Sequence, residues 1–180
     1  MDRTIFTVGH SNHSLNKFLS LLKQHDITAL CDVRSKPYSR MNPQFNRETL
    51  KDNLSKEGIA YVFLGLELGG RCEDPSIYDQ GKIQYDRLAE TKLFSKGIKR
   101  VQEGTKQYRV ALMCAEKEPL ECHRTILVSR YLEAQGFVIQ HIQADGKLES
   151  HSDALSRLIR KLKLPEQDMF LSQKDIINNA

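Results

Sequence analysis

Thr4-Ile5-Phe6-Thr7-Val8, then Ser14 with Leu15, Phe18, Leu19 and Leu22, then the apolar run Ile27 to Val33: these segments decide the fold. The first is short, β-branched and closed by Gly9, which reads as a strand. Ser14 is placed as an N-cap, and the four apolar residues after it recur at the spacing of one helical face. The third segment is apolar almost throughout, as expected of a strand buried on both faces. Strand, helix and strand in that order make a crossover unit joining two parallel strands.

The same alternation runs on along the chain. A loop with Pro37 and Pro43 leads to Asn46, which can cap a helix carrying Leu50 and Leu54 up to Gly58. Ile59 to Leu64 reads as a third strand, and helical patterning runs from about Tyr85 to Gly104. Arg109 to Met113 reads as a fourth strand, His123 to Gln135 as a helix stopped by Gly136, and Phe137 to Ile142 as a fifth strand. A basic amphipathic helix over about Ser152 to Leu162 ends before Pro165. The expectation is one three-layer, Rossmann-like α/β domain over residues 1–164, with a mostly parallel sheet of about five strands. Residues 165–180 are read as a tail or a short docked helix.

Composition limits the function classes. Hydrophobic residues make up 39% of the 180-residue chain and charged residues 28%, which is enough apolar surface for one core without staples. The longest apolar run, Val110 to Ala115, is far too short to span a bilayer. The first residues, Met1-Asp2-Arg3-Thr4, have no signal-peptide pattern, and the four cysteines include no CxxC pair. The expected setting is cytoplasmic, with reduced thiols and no membrane contact. Between Arg34 and Lys51 there are five basic residues and one acid, an excess equal to the +4 of the whole chain. Such a segment suits an anionic small molecule or nucleic acid, or is simply a solvated loop.

Ligands of open α/β sheets bind outside the carboxyl ends of the strands. The unusual residues fall there, whereas opposite-edge connections such as Gln24-His25-Asp26 and Gln135-Gly136 are short and plain. After strand one come His10 and Ser11. After strand two come Asp32, Arg34, Tyr38, Ser39, Arg40 and Asn42. Gly69, Gly70 and Arg71 follow strand three, and Cys114, Glu116, Cys122, His123 and Arg124 follow strand four. These residues are expected to converge on one cleft.

Four segments in these loops, TVGHSN, DVRSKPYSRMNPQFN, LGGR and ALMCAEKEPLECHR, resemble the domain-of-unknown-function 488 family. The resemblance covers roughly residues 4 to 145. It implies a cytosolic α/β domain and marks these loops as the site, and it carries no catalytic assignment.

Residue chemistry suggests roles. Asp32, Glu116 and Cys122 are the catalytic candidates; the other residues named in these loops are candidates for binding substrate. A thiol at a helix N-terminus beside cations has a lowered pKa; the alternative is that Cys122 packs inward and Arg124 forms a structural salt bridge. Asp32 can act as a general acid or base, or it can orient Arg34. Arginines at 34, 40, 71 and 124 suit bidentate contacts to phosphate or carboxylate. Tyr38 can stack on a base or hold its loop down, and Cys31 reads as core.

Four functions compete. The first is an enzyme acting on a nucleotide, nucleic-acid or other phosphorylated or anionic substrate. The second is a rhodanese-like cysteine sulfurtransferase or phosphatase. Against it, the sixth position after Cys114 is Leu120 rather than arginine, and Glu116, Glu118 and Glu121 in that loop would repel phosphate. The third is a non-catalytic nucleic-acid or anion-binding module, which leaves Asp32, Glu116 and Cys122 unexplained. The fourth is a metal site, which the lack of a paired cysteine spacing and the adjacency of Cys122 and His123 argue against, so no metal is expected. The sequence leaves cofactor and oligomeric state open.

Overall fold

The computed structural model describes residues 3–162; the tail or docked helix expected over 165–180 lies outside them. Five strands are parallel: β1 (Thr4–Gly9), β2 (Ala29–Asp32), β3 (Ala60–Phe63), β6 (Val110–Cys114) and β7 (Val138–Ile142). A sixth, β8 (Leu148–Ser150), pairs antiparallel with β7. The sheet order is β3-β2-β6-β1-β7-β8. Tyr78–Asp79 (β4) and Lys82–Ile83 (β5) form a separate small hairpin.

Side-chain alternation along the strands builds two cores. Val110, Leu112 and Cys114 of β6 face one layer, while Ala111 and Met113 face the other. The first layer holds α5 (Lys92–Gly104) and the helical segment after β6; the second holds α1 (Leu15–Gln24) and α2 (Arg47–Lys56). Helices on both faces of a mostly parallel sheet make the expected three-layer Rossmann-like fold.

Local chemistry explains the boundaries. Ser14 caps α1, its side chain accepting from the Lys17 N–H. Asn46 stands at the start of α2, but its Oδ1 accepts from the Ser39 N–H at 2.7 Å and so ties the proline-containing loop instead. The stretch from Tyr85 to Gly104 is two helices, α4 (Tyr85–Ala89) and α5, because Thr91 breaks the chain to cap Phe94. Among the described residues, α3 (Gly65–Leu68), the hairpin, β8 and three 3-10 turns (Pro43–Phe45, Pro75–Ile77 and Pro119–Glu121) had no expectation, being too short to show a period.

Order and handedness place the site. β6 lies between β2 and β1, so the helix leaving β1 and the segment leaving β6 depart in opposite directions, on opposite faces. A crevice opens where neighbouring connections diverge in this way. Beyond the strand ends, His10 and Ser11 still donate N–H bonds to the Cys114 and Ala115 carbonyls, both at 2.9 Å. The first and fourth loops are therefore locked together. Gly9 is required there: a Cβ on it would lie 1.9 Å from the Glu116 carbonyl oxygen.

Candidate functional site

A cavity of about 320 Å³ opens at the carboxyl ends of β2 and β6. Arg34, Gly70, Arg71, Cys114, Glu116, Cys122 and His123 line it, as the loop reading expected. Ser35, Lys36, Tyr85, Ala115 and Glu121 line it too. Ser35 and Lys36 lie within a segment already singled out. Tyr85 gave no signal, since an aromatic residue opening a helix looks like any core contact.

Behind the cavity, Asp32 and Arg34 form a buried ion pair. Asp32 Oδ1 accepts from the Arg34 backbone N–H (3.1 Å) and from Nε (2.9 Å). Its Oδ2 accepts from Arg34 Nη2 and from the Tyr61 hydroxyl, each at 2.7 Å. Arg34 Nη2 also donates to the Phe45 carbonyl at 2.8 Å, and Nη1 approaches His10 Nε2 at 3.1 Å. Guanidinium can only donate, so His10 Nε2 is the acceptor and the ring proton sits on Nδ1, directed to the Ser11 carbonyl at 2.8 Å. Burial, then the Arg34 charge, lowers the His10 pKa to about 4, so the ring is neutral. Between the two readings of Asp32, this geometry favours the one in which it orients arginine: its oxygens are spent and it does not line the cavity.

The thiols form the floor. Cys114 ends β6, and Cys122 precedes a π-helical turn, Arg124–Ser129, that continues as α6 (Arg130–Glu133). The wider turn replaces the regular helix expected from His123 onward; such turns gather at functional sites. His123 Nδ1 lies 3.8 Å from Cys114 Sγ and 3.9 Å from Cys122 Sγ, while Nε2 meets the Val33 carbonyl at 3.1 Å. A carbonyl only accepts, so Nε2 carries the proton in the neutral ring and the Nδ1 lone pair faces both sulfurs. Gly70 makes room for this ring, since a Cβ there would stand 3.0 Å from His123 Cγ and Nδ1.

The electrostatics of the pair are polarised. Burial works against charge on Cys122, but the bond from the Cys114 thiol, the His123 ring (itself held toward its protonated form by this sulfur) and the Arg124 charge bring its pKa down to about 5. The Arg124 backbone N–H also donates to Cys122 Sγ at 3.4 Å. Cys114 is pushed the other way, by its bond to Cys122 and then by burial, and keeps its proton. Burial disfavours charge on Glu116, but a bond from the protonated Cys114 thiol holds its carboxyl below the usual range.

The three glutamates of this loop are not equivalent. Glu118 accepts two bonds from Arg157 (3.0 and 2.8 Å), and Glu121 lies 3.6 Å from Lys161 Nζ. Glu116 alone of the three has no ion-pair partner among the described residues, and its carboxylate turns to the thiols. On the rim, neither Lys36 nor Arg71 takes part in an ion pair among the described residues.

Several expected contributors stand elsewhere. Arg124 has no exposed surface and does not line the cavity; its Nη1 holds the Glu116 carbonyl at 2.8 Å. His10 and Asp32 form a layer behind Arg34. Ser11, Tyr38, Ser39, Arg40, Asn42 and Gly69 do not line the cavity either: Tyr38 is 63% exposed, and Ser39 Oγ accepts from the Asn42 N–H. Cys31 is core, its thiol pushed up to about 12 by burial. Arg47, part of the basic segment, is spent over the Phe63 ring at 4.6 Å.

Fold and site together define a three-layer α/β protein with a thiol-floored cavity at the carboxyl edge of its sheet. The family model for the domain of unknown function DUF488 matches residues 14–131, and the chain belongs to that family. The matched span holds three of the four motifs quoted above. No curated protein and no solved structure matches the chain. Among the described residues no helix is long and apolar enough to cross a membrane.

Proposed function

We propose that this protein is an enzyme acting on a small anionic substrate, a nucleotide or another phosphorylated metabolite, bound over the two thiols. The observation that carries the reading is the cavity's division of labour. Lys36 and Arg71 stand at its rim with no ion-pair partner among the described residues, while Cys114, Cys122, His123 and Glu116 meet at its floor. Unpaired cations at the mouth of a cleft attract and orient an anion. A clustered thiolate, imidazole and carboxylate have no packing purpose and form the kind of constellation that supports catalysis.

The size of the cavity favours a small ligand over a polymer, since about 320 Å³ is the low end for ligand sites. The fate of the basic segment supports the same choice. Arg34 is engaged by Asp32 and Arg47 lies over Phe63, so two of the five cations of the segment are held within the fold. Glu116, ionised and beside the reacting groups, is the candidate proton acceptor.

Calorimetric titration with inorganic phosphate, a nucleoside monophosphate and a short oligonucleotide at two salt concentrations tests the reading. The monophosphate should bind with a shallow salt dependence, and Arg71→Ala and Lys36→Ala should each weaken it by roughly tenfold or more. Absence of binding by all three probes would overturn the reading; tight, steeply salt-dependent oligonucleotide binding would replace it with a nucleic-acid module.

A further inference from the structure

We propose that Cys114, Cys122 and His123 together bind one zinc-class divalent cation, with its fourth coordination position open to the cavity. The proposed link between this ion and catalysis rests on the reading of the cavity just given. The metal site itself stands on the geometry of the three residues.

The distances fit the coordination. The two sulfurs and Nδ1 all lie within 4.8 Å of one another, and the S···N separations are 3.8 and 3.9 Å. On a tetrahedral ion with Zn–S about 2.3 Å and Zn–N about 2.0–2.1 Å, a sulfur and a nitrogen are about 3.6 Å apart. The two S···N separations are therefore within a few tenths of an ångström of the tetrahedral value. Thiolate and imidazole are also the donor types that borderline-soft cations select over magnesium or calcium.

The histidine is already oriented for the task. A metal-ligating imidazole characteristically donates its other N–H to a carbonyl or carboxylate, which fixes the tautomer and the ring plane. His123 Nε2 stands 3.1 Å from the Val33 carbonyl, leaving Nδ1 toward the sulfurs. Adjacency in the chain is no obstacle. Cys122 is extended (φ −136°, ψ 135°) and His123 helical (φ −57°, ψ −23°), and this change of conformation lets neighbouring side chains reach one point.

The surroundings match an open rather than a closed site. Structural zinc sites fill four positions with protein ligands, whereas catalytic ones use three and keep one open. Here three ligands converge, all of them line the cavity, and Lys36 and Arg71 sit where they would guide an anion toward the ion. In this arrangement the ion serves as a Lewis acid for the bound anion.

The full chain, purified under reducing conditions, is stripped with a chelator and reloaded with zinc or cobalt(II). Elemental analysis should then give one ion per chain, and cobalt should show thiolate charge-transfer bands with the intense visible bands of tetrahedral coordination. Cys114→Ser and Cys122→Ser should each weaken cobalt binding by roughly a hundredfold, while Cys72→Ser should leave it unchanged. Should the serine variants fail to fold, wild-type protein answers the question: bound zinc should protect Cys114 and Cys122 from iodoacetamide but not Cys72. Folded protein that takes up no stoichiometric metal, or cobalt bands that survive in both serine variants, would overturn the site. Inorganic phosphate and monophosphate binding, measured on stripped and loaded protein, separates the two proposals. Anion binding by protein that takes up no metal sinks only the metal site, and metal uptake without anion binding sinks only the substrate reading.

Discussion

Arg124 Nη1 donates to the backbone carbonyl of Glu116 at 2.8 Å, from a side chain with no exposed surface. The arginine thereby holds the loop between Cys114 and Cys122 from beneath instead of contacting a ligand from above. Arg124→Ala should lower stability by about 1.5–3 kcal/mol, the worth of a hydrogen bond from a charged group. Urea unfolding followed by circular dichroism would measure it. Unchanged stability with a selective loss of phosphate binding would return Arg124 to the ligand site.

Asp32→Asn should be more damaging. It removes the charge facing a buried guanidinium, and breaking a buried pair costs about 3–5 kcal/mol. Tyr61→Phe, which loses one bond to the same carboxylate, should cost only about 1 kcal/mol. Denaturant midpoints of the two variants should fall in that order.

Stability should decline as pH falls below about 6.5, the ordinary histidine value. Burial, reinforced by neighbouring cations or histidine, lowers His10 to about 4, His141 to about 3 and His151 to about 4. Between these values and 6.5 the unfolded chain binds protons that the folded one refuses, so unfolding gains from acid. Each ring contributes a slope of about 1.4 kcal/mol per pH unit in that window, and its contribution is intact above 6.5. His141 and His151 are joined, Nε2 to Nδ1 at 3.0 Å, with His141 Nδ1 2.7 Å from Thr7 Oγ1. Urea midpoints measured from pH 5 to about 7.5 should show the decline, and His10→Gln should flatten it. A flat profile in wild type would mean the rings titrate normally.

Gly9→Ala and Gly70→Ala should separate folding from the site. The first forces a Cβ to within 1.9 Å of backbone and should cost roughly 3 kcal/mol or more. The second meets a side-chain ring at 3.0 Å, so the protein should fold while His123 is displaced from the thiols. Thermal melts would report the first effect and cobalt spectra the second.

In metal-free protein, Cys122 should react with iodoacetamide well before Cys31. The first is held toward thiolate at a helical start and lines the cavity; the second is core and pushed up by burial. Peptide mass spectrometry at neutral pH would rank them. Equal rates would contradict the polarised pair.

Much of the fold was legible because it depends on periodicity. Five parallel strands and the helices between them follow from apolar runs, a serine cap and short turns, and these signals are local. The elements that could not be read, β8, the hairpin, α3 and the three 3-10 turns, are two to four residues long and carry no period. The π-helical turn after Cys122 has the composition of an ordinary helix and betrays itself only in its hydrogen bonds.

The position of the cavity was equally legible, because chain order and the parallel sheet force the βα loops to one edge. What each side chain does there depends on torsions and burial that no spacing encodes. Arg124, read as a ligand-facing cation, turns inward to a carbonyl. Cys122 and His123, adjacent in the chain, reach one point with Cys114, eight residues before Cys122, because extended backbone gives way to helical backbone between them. The sequence by itself determined the layers, the edge and the chemical types gathered there, since those follow from local pattern and chain order. Only the tertiary structure decided which of those groups face the cavity, because side-chain direction is set by contacts between residues far apart in the chain.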